Sequence, residues 1–287
     1  AFNRPATPPP PIRESDEPDS SEHGGPPGVR STNCTCGWAN KGKLRVIGGN
    51  ETDVNEYPFN VGLRRIGWIS PFCGGSIITP FHVLTSAHCV INYKPEEVEV
   101  MIGEHNYRKG ESDVTYTLPV SVMELHDDYV RTKGPRVDIA VLVLNEEIKF
   151  NKFIGPVCLP SKPLDLEGRF VKVIGWGRTQ SYGQGSEYVK EVNVRVVPIQ
   201  KCHSCFGFHV DLTDPRLVCT YSKMKGIGLG DSGGPVVWLN PDTNRYTLVG
   251  LPALVALYDK DLHRCPDMSA DVSTYLDWIH DKIESKL

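Results

Sequence analysis

Three short stretches carry residue types that together can do nucleophilic acyl transfer. Gly230-Asp231-Ser232-Gly233-Gly234-Pro235 sets a serine among glycines with an acid just before it. Glycine lets the backbone bend tightly and come close to a substrate, so the amides around Ser232 can point at a developing oxyanion. A serine hydroxyl is a weak nucleophile until an imidazole takes its proton, and a carboxylate must hold that imidazole in the right tautomer. Thr85-Ser86-Ala87-His88-Cys89 offers the histidine, and Asp138-Ile139-Ala140-Val141-Leu142 offers the acid. Singly, each has an ordinary explanation: a core histidine, a strand-start carboxylate, a turn serine. Together, in the order His, Asp, Ser at spacings of 50 and 94 residues, they point to acyl transfer.

The elements that must position these groups are short strands. Val46-Ile47, Phe59-Leu63, Gly75-Ile78, His82-Thr85, Val98-Ile102, Ile139-Leu144, Val171-Gly175, Val192-Val197, Val236-Leu239 and Thr247-Leu251 are β-rich runs separated by Gly, Pro and Asn. Many short strands with turn signals between them argue for a sandwich or barrel. From Ser273 to Leu287 the pattern changes: Tyr275, Trp278, Ile279, Ile283 and Leu287 recur at helical spacing among charged residues, as one amphipathic helix with a face to bury. Residues 1–30 hold eight prolines among Ser, Asp, Glu and Gly. Such a segment cannot bury enough apolar surface to offset its ordering entropy and is expected to be disordered.

The three motifs and their order resemble the trypsin/chymotrypsin-type serine endopeptidases, over residues 46–287. The resemblance implies an all-β catalytic domain of two six-stranded antiparallel β-barrels with a C-terminal α-helix, preceded by a Pro-rich propeptide or light chain, residues 1–45. It implies His88, Asp138 and Ser232 as catalytic residues and the amides of Gly230 and Ser232 as oxyanion hole.

Lys43-Leu44-Arg45-Val46-Ile47-Gly48-Gly49 resembles the activation site of such enzymes. Cleavage after Arg45 would free the amino group of Val46, which the resemblance pairs with Asp231. A buried ion pair of this kind is worthwhile only when both partners are present. The uncut chain is then an inactive zymogen, awaiting an upstream activating protease.

The substrate pocket departs from the trypsin pattern. Gly226 stands six residues before Ser232, where trypsin-like members carry an aspartate, and Gly228 stands where a cysteine is usual. Leu254 and Val255 occupy the positions of a usual tryptophan and glycine, so Val255 narrows the pocket mouth. Asp267 aligns with a pocket-wall position, as in crustacean collagenolytic serine proteases, which accept both basic and large apolar residues. A solvent-facing loop aspartate is the equal alternative. These departures keep a second reading open: a serine protease homologue with an intact triad and an impaired pocket, acting as a binding or cofactor module.

Nine cysteines suggest an oxidising, extracellular setting. The resemblance pairs Cys73 with Cys89, Cys202 with Cys219, and Cys158 with Cys36 or Cys34. Cys205, without a family counterpart, is a candidate partner for Cys265. Cys202-His203-Ser204-Cys205 is a weak metal signal, and the disulfide reading is preferred; no metal site is expected. Asn33 and Asn50 head glycosylation sequons, Asn33-Cys34-Thr35 and Asn50-Glu51-Thr52. Asn33 to Trp38 resembles the opening of the catalytic unit in some insect secreted serine proteases, including venom proteases. Glu104-His105-Asn106 resembles a calcium-loop start, with Glu111 or Asp113 as second ligand, although a solvated acidic loop is the plainer account. No cofactor is required for the chemistry.

The net charge of −4 and pI near 6.2 carry no basic footprint for nucleic acid. No apolar run approaches the ~20 residues of a membrane helix. The first five residues lack the apolar core of a secretory leader, and the chain is expected to be one whose leader has been removed. The expected partners are protein substrates, the activating protease and a serpin-type or other protease inhibitor.

Overall fold

The computed structural model describes residues 35–40, 51–110, 112–132, 134, 137–178, 185–206, 210–213, 216–222, 226–254 and 265–285. The expectations for residues 1–30, Asn33, Cys34, Arg45, Val46, Asn50, Glu111 and Val255 lie outside them. Among the described residues the chain forms two closed antiparallel barrels.

The first barrel contains β1 (Asn60–Arg65), β2 (Cys73–Ile77), β3 (His82–Thr85), β4 (Val98–Ile102), β5 (Tyr116–Leu125) and β6 (Ala140–Leu144), closed in the order β1-β2-β3-β6-β5-β4. The second contains β7 (Phe170–Gly175), β8 (Lys190–Val196), β9 (Leu217–Tyr221), β10 (Val236–Asn240), β11 (Arg245–Leu254) and β12 (Asp267–Asp271), closed as β10-β11-β12-β9-β8-β7. Closure gives every named strand a neighbour on both sides. The described residues also form four short α-helices, α1 (Ala87–Val90), α2 (Asp127–Thr132), α3 (Ile199–Phe206) and α4 (Leu276–Glu284), and 3-10 turns at Pro95–Glu97 and Val272–Tyr275.

Nine of the twelve strands coincide with β-rich runs of the sequence; β5, β9 and β12 do not. Pro119 discourages a strand reading for β5, because proline brings no ladder donor. The structure accommodates it next to a register shift between Val120 and Val122. In β12 the ends are Asp267 and Asp271, poor strand formers, held because the strand pairs with both β11 and β9.

The helical stripe near the C-terminus is core packing. Ile279 is fully buried and Tyr275 nearly so. His126, before α2, lies against the rings of Tyr275 and Trp278 at 5.3 and 5.2 Å between centroids. The C-terminal helix thereby straps the second barrel to the first. A continuous apolar cluster runs through both, with Phe59, Leu63 and Leu84 from one barrel and Leu248 and Leu251 from the other.

Four disulfides are formed: Cys36–Cys158, Cys73–Cys89, Cys202–Cys219 and Cys205–Cys265. The first anchors the segment around Trp38, whose ring is buried against Gly155.

Candidate active site

Strand pairing brings the histidine and the acid together. β3 and β6 run antiparallel with Thr85 opposite Ala140. His88 lies three residues beyond the end of β3 and Asp138 two residues before the start of β6, so both emerge from the same end of the pair. Nδ1 of His88 stands 2.6 Å from Oδ2 of Asp138, and the His88 amide donates to Oδ1 at 2.7 Å. Asp138 is almost completely buried, whereas the His88 side chain is 33% exposed. A carboxylate that engages the Nδ1–H leaves Nε2 with its lone pair, able to take a proton. Burial, with the same carboxylate adding to it, pushes the Tyr129 hydroxyl up to about 12.

Ser232 lies on the turn leading into β10, half-buried. Gly230 and Gly233 have φ of +104° and +72°, conformations closed to most side chains. At Gly233 a β-carbon would also fall 2.2 Å from Oγ1 of Thr85. Two links tie this turn to the histidine. The Gly74 amide donates to the Ser232 carbonyl at 2.8 Å, and the neighbouring Cys73 is bonded to Cys89, next to His88. In addition, the Pro252 carbonyl accepts both from Oγ of Ser86, at 2.9 Å, and from the Gly233 amide, at 3.3 Å. Sequence reasoning missed Gly74, Ser86 and Pro252; Ser86 belonged to a motif read only for its histidine.

Asp231 is buried, with Oδ1 accepting from the Gly177 amide and Oδ2 from the Gly228 amide, both at 2.8 Å. Burial raises its carboxyl to about 6, against the two amides, which lower it. No ion pair reaches it among the described residues. Gly175 and Gly177 are the space it occupies: β-carbons there would lie 2.3 and 2.2 Å from its oxygens. The Gly-Trp-Gly run carried this signal in sequence.

Gly226 is half-buried beside fully buried Ile227. Asp267, 5% exposed, is no solvent-facing loop residue. It opens β12, and its Oδ2 accepts from the Ile227 amide at 2.9 Å. Burial raises its carboxyl to about 7, with Asp231 adding to the rise. At Gly228 a β-carbon would meet the Arg178 carbonyl at 2.1 Å, so the backbone fills the space a cysteine would need. Cys205–Cys265 cross-links α3 to the lead-in of β12, two residues before Asp267.

Three places carry metal-ligating residue types. Cys73, His88 and Cys89 cluster, but the two sulfurs are joined in a disulfide and supply no thiolate. At Glu104, Oε1 accepts from the adjacent His105 amide at 2.9 Å and Asp113 is exposed. Glu111, the other expected oxygen ligand, lies outside the described residues. Cys202 and Cys205 bond to different partners, which leaves the Cys-x-x-Cys without free thiols.

The arrangement can do nucleophilic acyl transfer: a buried acid, an imidazole it orients, and a serine on a glycine turn. Comparison with known proteins agrees with that chemistry. The family profile described as Trypsin matches residues 46–279. A venom serine protease of Polistes dominula is 32% identical over 259 residues, covering 88% of this chain and 89% of that relative. Venom serine protease 34 of Apis mellifera is 32% identical over 87% of this chain, which spans 60% of that relative's length. The proclotting enzyme of Tachypleus tridentatus is 31% identical over 85% of this chain and 68% of its own length.

Proposed function

Because this chain belongs to the trypsin family of serine proteases, and is therefore a serine endopeptidase, we propose that it is a secreted zymogen activated by cleavage after Arg45. The observation that carries the chemistry is the His88–Asp138 pair, 2.6 Å between Nδ1 and Oδ2. Ser232 attacks the scissile carbonyl as His88 takes its proton through Nε2. Asp138 holds the ring and stabilises the imidazolium. The amides of Gly230 and Ser232 receive the oxyanion. His88 then protonates the leaving amine, and water releases the acyl group by the same steps in reverse.

The buried Asp231 supports the activation reading. Its carboxyl is raised to about 6, so it is poorly served by its surroundings at neutral pH. An ammonium from Val46 would favour the ionised form and stabilise the loop that carries Gly230. Four disulfides and the sequons at Asn33 and Asn50 support an extracellular setting. The relatedness to a proclotting enzyme supports a place in a proteolytic cascade, with a protein substrate, an upstream protease and a protease inhibitor as partners.

The pocket reading rests on Gly226 and Asp267. A small residue at the base leaves room for large apolar side chains, and a carboxylate in the wall attracts lysine or arginine. A positional-scanning peptide library on the Arg45-cleaved enzyme tests this: mixed acceptance is expected, with the basic component lost in Asp267→Gly.

A trypsin-like protease and a fluorophosphonate probe test the reading as a whole. The expected result is a new Val46 terminus and labelling of Ser232 only after the cut. A free Val46 without labelling favours the binding-module alternative.

A further inference from the structure

Ile227 and Gly228 are consecutive residues, and their amides donate to two different buried carboxylates. Ile227 gives its proton to Asp267 at 2.9 Å, and Gly228 gives its proton to Asp231 at 2.8 Å. Asp267 comes from β12; Asp231 belongs to the nucleophile's own turn. The Ile227 amide belongs to the Gly226–Ile227 peptide and the Gly228 amide to the Ile227–Gly228 peptide, two planar units that meet at the α-carbon of Ile227, so holding both limits rotation about that residue. Gly226, the candidate pocket base, lies one residue before, and Gly230 of the candidate oxyanion hole two residues after.

Gly228 stands where the resembling enzymes carry a cysteine. It offers no sulfur, and the Arg178 carbonyl occupies the site of its β-carbon. This stretch of backbone therefore lacks a covalent tether of its own, yet two acids are buried against it. Burying two neighbouring carboxylates is unfavourable by desolvation and by mutual repulsion, and here both effects act on Asp267.

We propose that Asp267 is a positioning residue: with Asp231 it clamps the two peptides that flank Ile227, holding pocket base and oxyanion loop in register in place of the cross-link that Gly228 cannot form. The proposal rests on the pocket assignment made above but asks more of Asp267 than attraction of a basic side chain. Among the described residues the charged group facing Asp267 is Asp231. On α3, Cys202 lies near it with Sγ 3.6 Å from the Asp267 carbonyl, but is closed in its bond to Cys219. On β9 its register partner is uncharged Thr220.

Hydrogen exchange at the Ile227 and Gly228 amides of the full chain tests the clamp without requiring activity. Asp267→Ala is expected to lose about tenfold or more of the protection at Ile227, while Asp267→Asn, whose amide oxygen still accepts, recovers most of it. Unchanged protection in Asp267→Ala overturns the proposal. Should that variant not fold, the wild type decides. After correction for intrinsic exchange, protection at Ile227 is expected to rise severalfold from pH 8 to pH 6, because the buried Asp267 carboxyl is easier to keep in place once protonated and its carbonyl oxygen still accepts, and a flat profile overturns the clamp. On the cleaved enzyme, loss confined to basic substrates in Asp267→Ala supports attraction alone and counts against positioning. Parallel loss on apolar substrates, rescued by Asp267→Asn, supports the clamp.

Discussion

The amide of Gly177 donates to Oδ1 of Asp231 at 2.8 Å, and a β-carbon on Gly177 would lie 2.2 Å from Oδ2. A single methyl group would thus displace the acid that precedes the nucleophile. Gly177→Ala is expected to destabilise the fold by about 2–3 kcal/mol, in the range of overpacked sites. It should also cut fluorophosphonate labelling of Ser232 more than tenfold. Gly110→Ala is the control: its φ is +60° but nothing lies within 4 Å of the new atom, and a cost near 1 kcal/mol with normal labelling is expected. Equal effects from both variants would refute the role given to the Asp231 site.

Asp138→Asn tests orientation of the imidazole. The carboxamide keeps the shape and loses the preference for the right tautomer, so kcat is expected to fall about 10⁴-fold with KM nearly unchanged. Steady-state kinetics on the cleaved enzyme measure it. A loss below tenfold would mean that the His88–Asp138 contact is not what activates Ser232.

The buried acids make stability depend on pH. Asp231 near 6 and Asp267 near 7 both lie above the ordinary 3.8, so the folded chain keeps protons that the unfolded chain has released. Their contribution is whole below about pH 4 and is lost as pH rises through 6 and 7. Asp267→Asn removes the larger part. Its urea-unfolding free energy minus that of the wild type is expected to grow by ~2 kcal/mol from pH 5 to pH 8, then level off. A difference that shrinks with rising pH would contradict the burial of a raised carboxyl there.

Cys205–Cys265 closes a separation of 60 residues. Replacing both by serine is expected to cost about 3–4 kcal/mol by loop entropy, read from chemical denaturation. The effect on kcat/KM is expected to exceed that of replacing the Cys36–Cys158 pair, because Cys265 leads directly into Asp267. Equal kinetic effects from the two replacements would detach this bridge from the pocket.

Much of the fold and site was legible in sequence because the signals are local. His82–Thr85 and Val98–Ile102 read as strands and are strands with those bounds, since their β-branched and apolar runs suit a buried pleat. What escaped has non-local causes. β5 carries a proline, β12 is bounded by acids, and closure of the barrels holds them as strands. Lys172 and Glu191, charged residues that a sequence reader places at the surface, pair at 2.8 Å while more than nine-tenths buried. Tyr57 donates its hydroxyl to the same Glu191 carboxylate, and burial pushes that hydroxyl well above its ordinary range. No periodicity announces such a cluster, because its members come from different barrels.

The sequence by itself determined the chemistry on offer: a serine among glycines, a histidine and an acid in a fixed order, and a pocket without the usual aspartate and cysteine. Those follow from residue type, which needs no coordinates. Only the tertiary structure decided what the residues meet. The pairing of Thr85 with Ala140 sets His88 on Asp138 across 50 positions of chain. The joining of β12 to β9 and β11 buries Asp267 against Ile227 rather than leaving it in water. Burial and contact between distant segments depend on how barrels close, and that is a property of the whole chain rather than of any stretch within it.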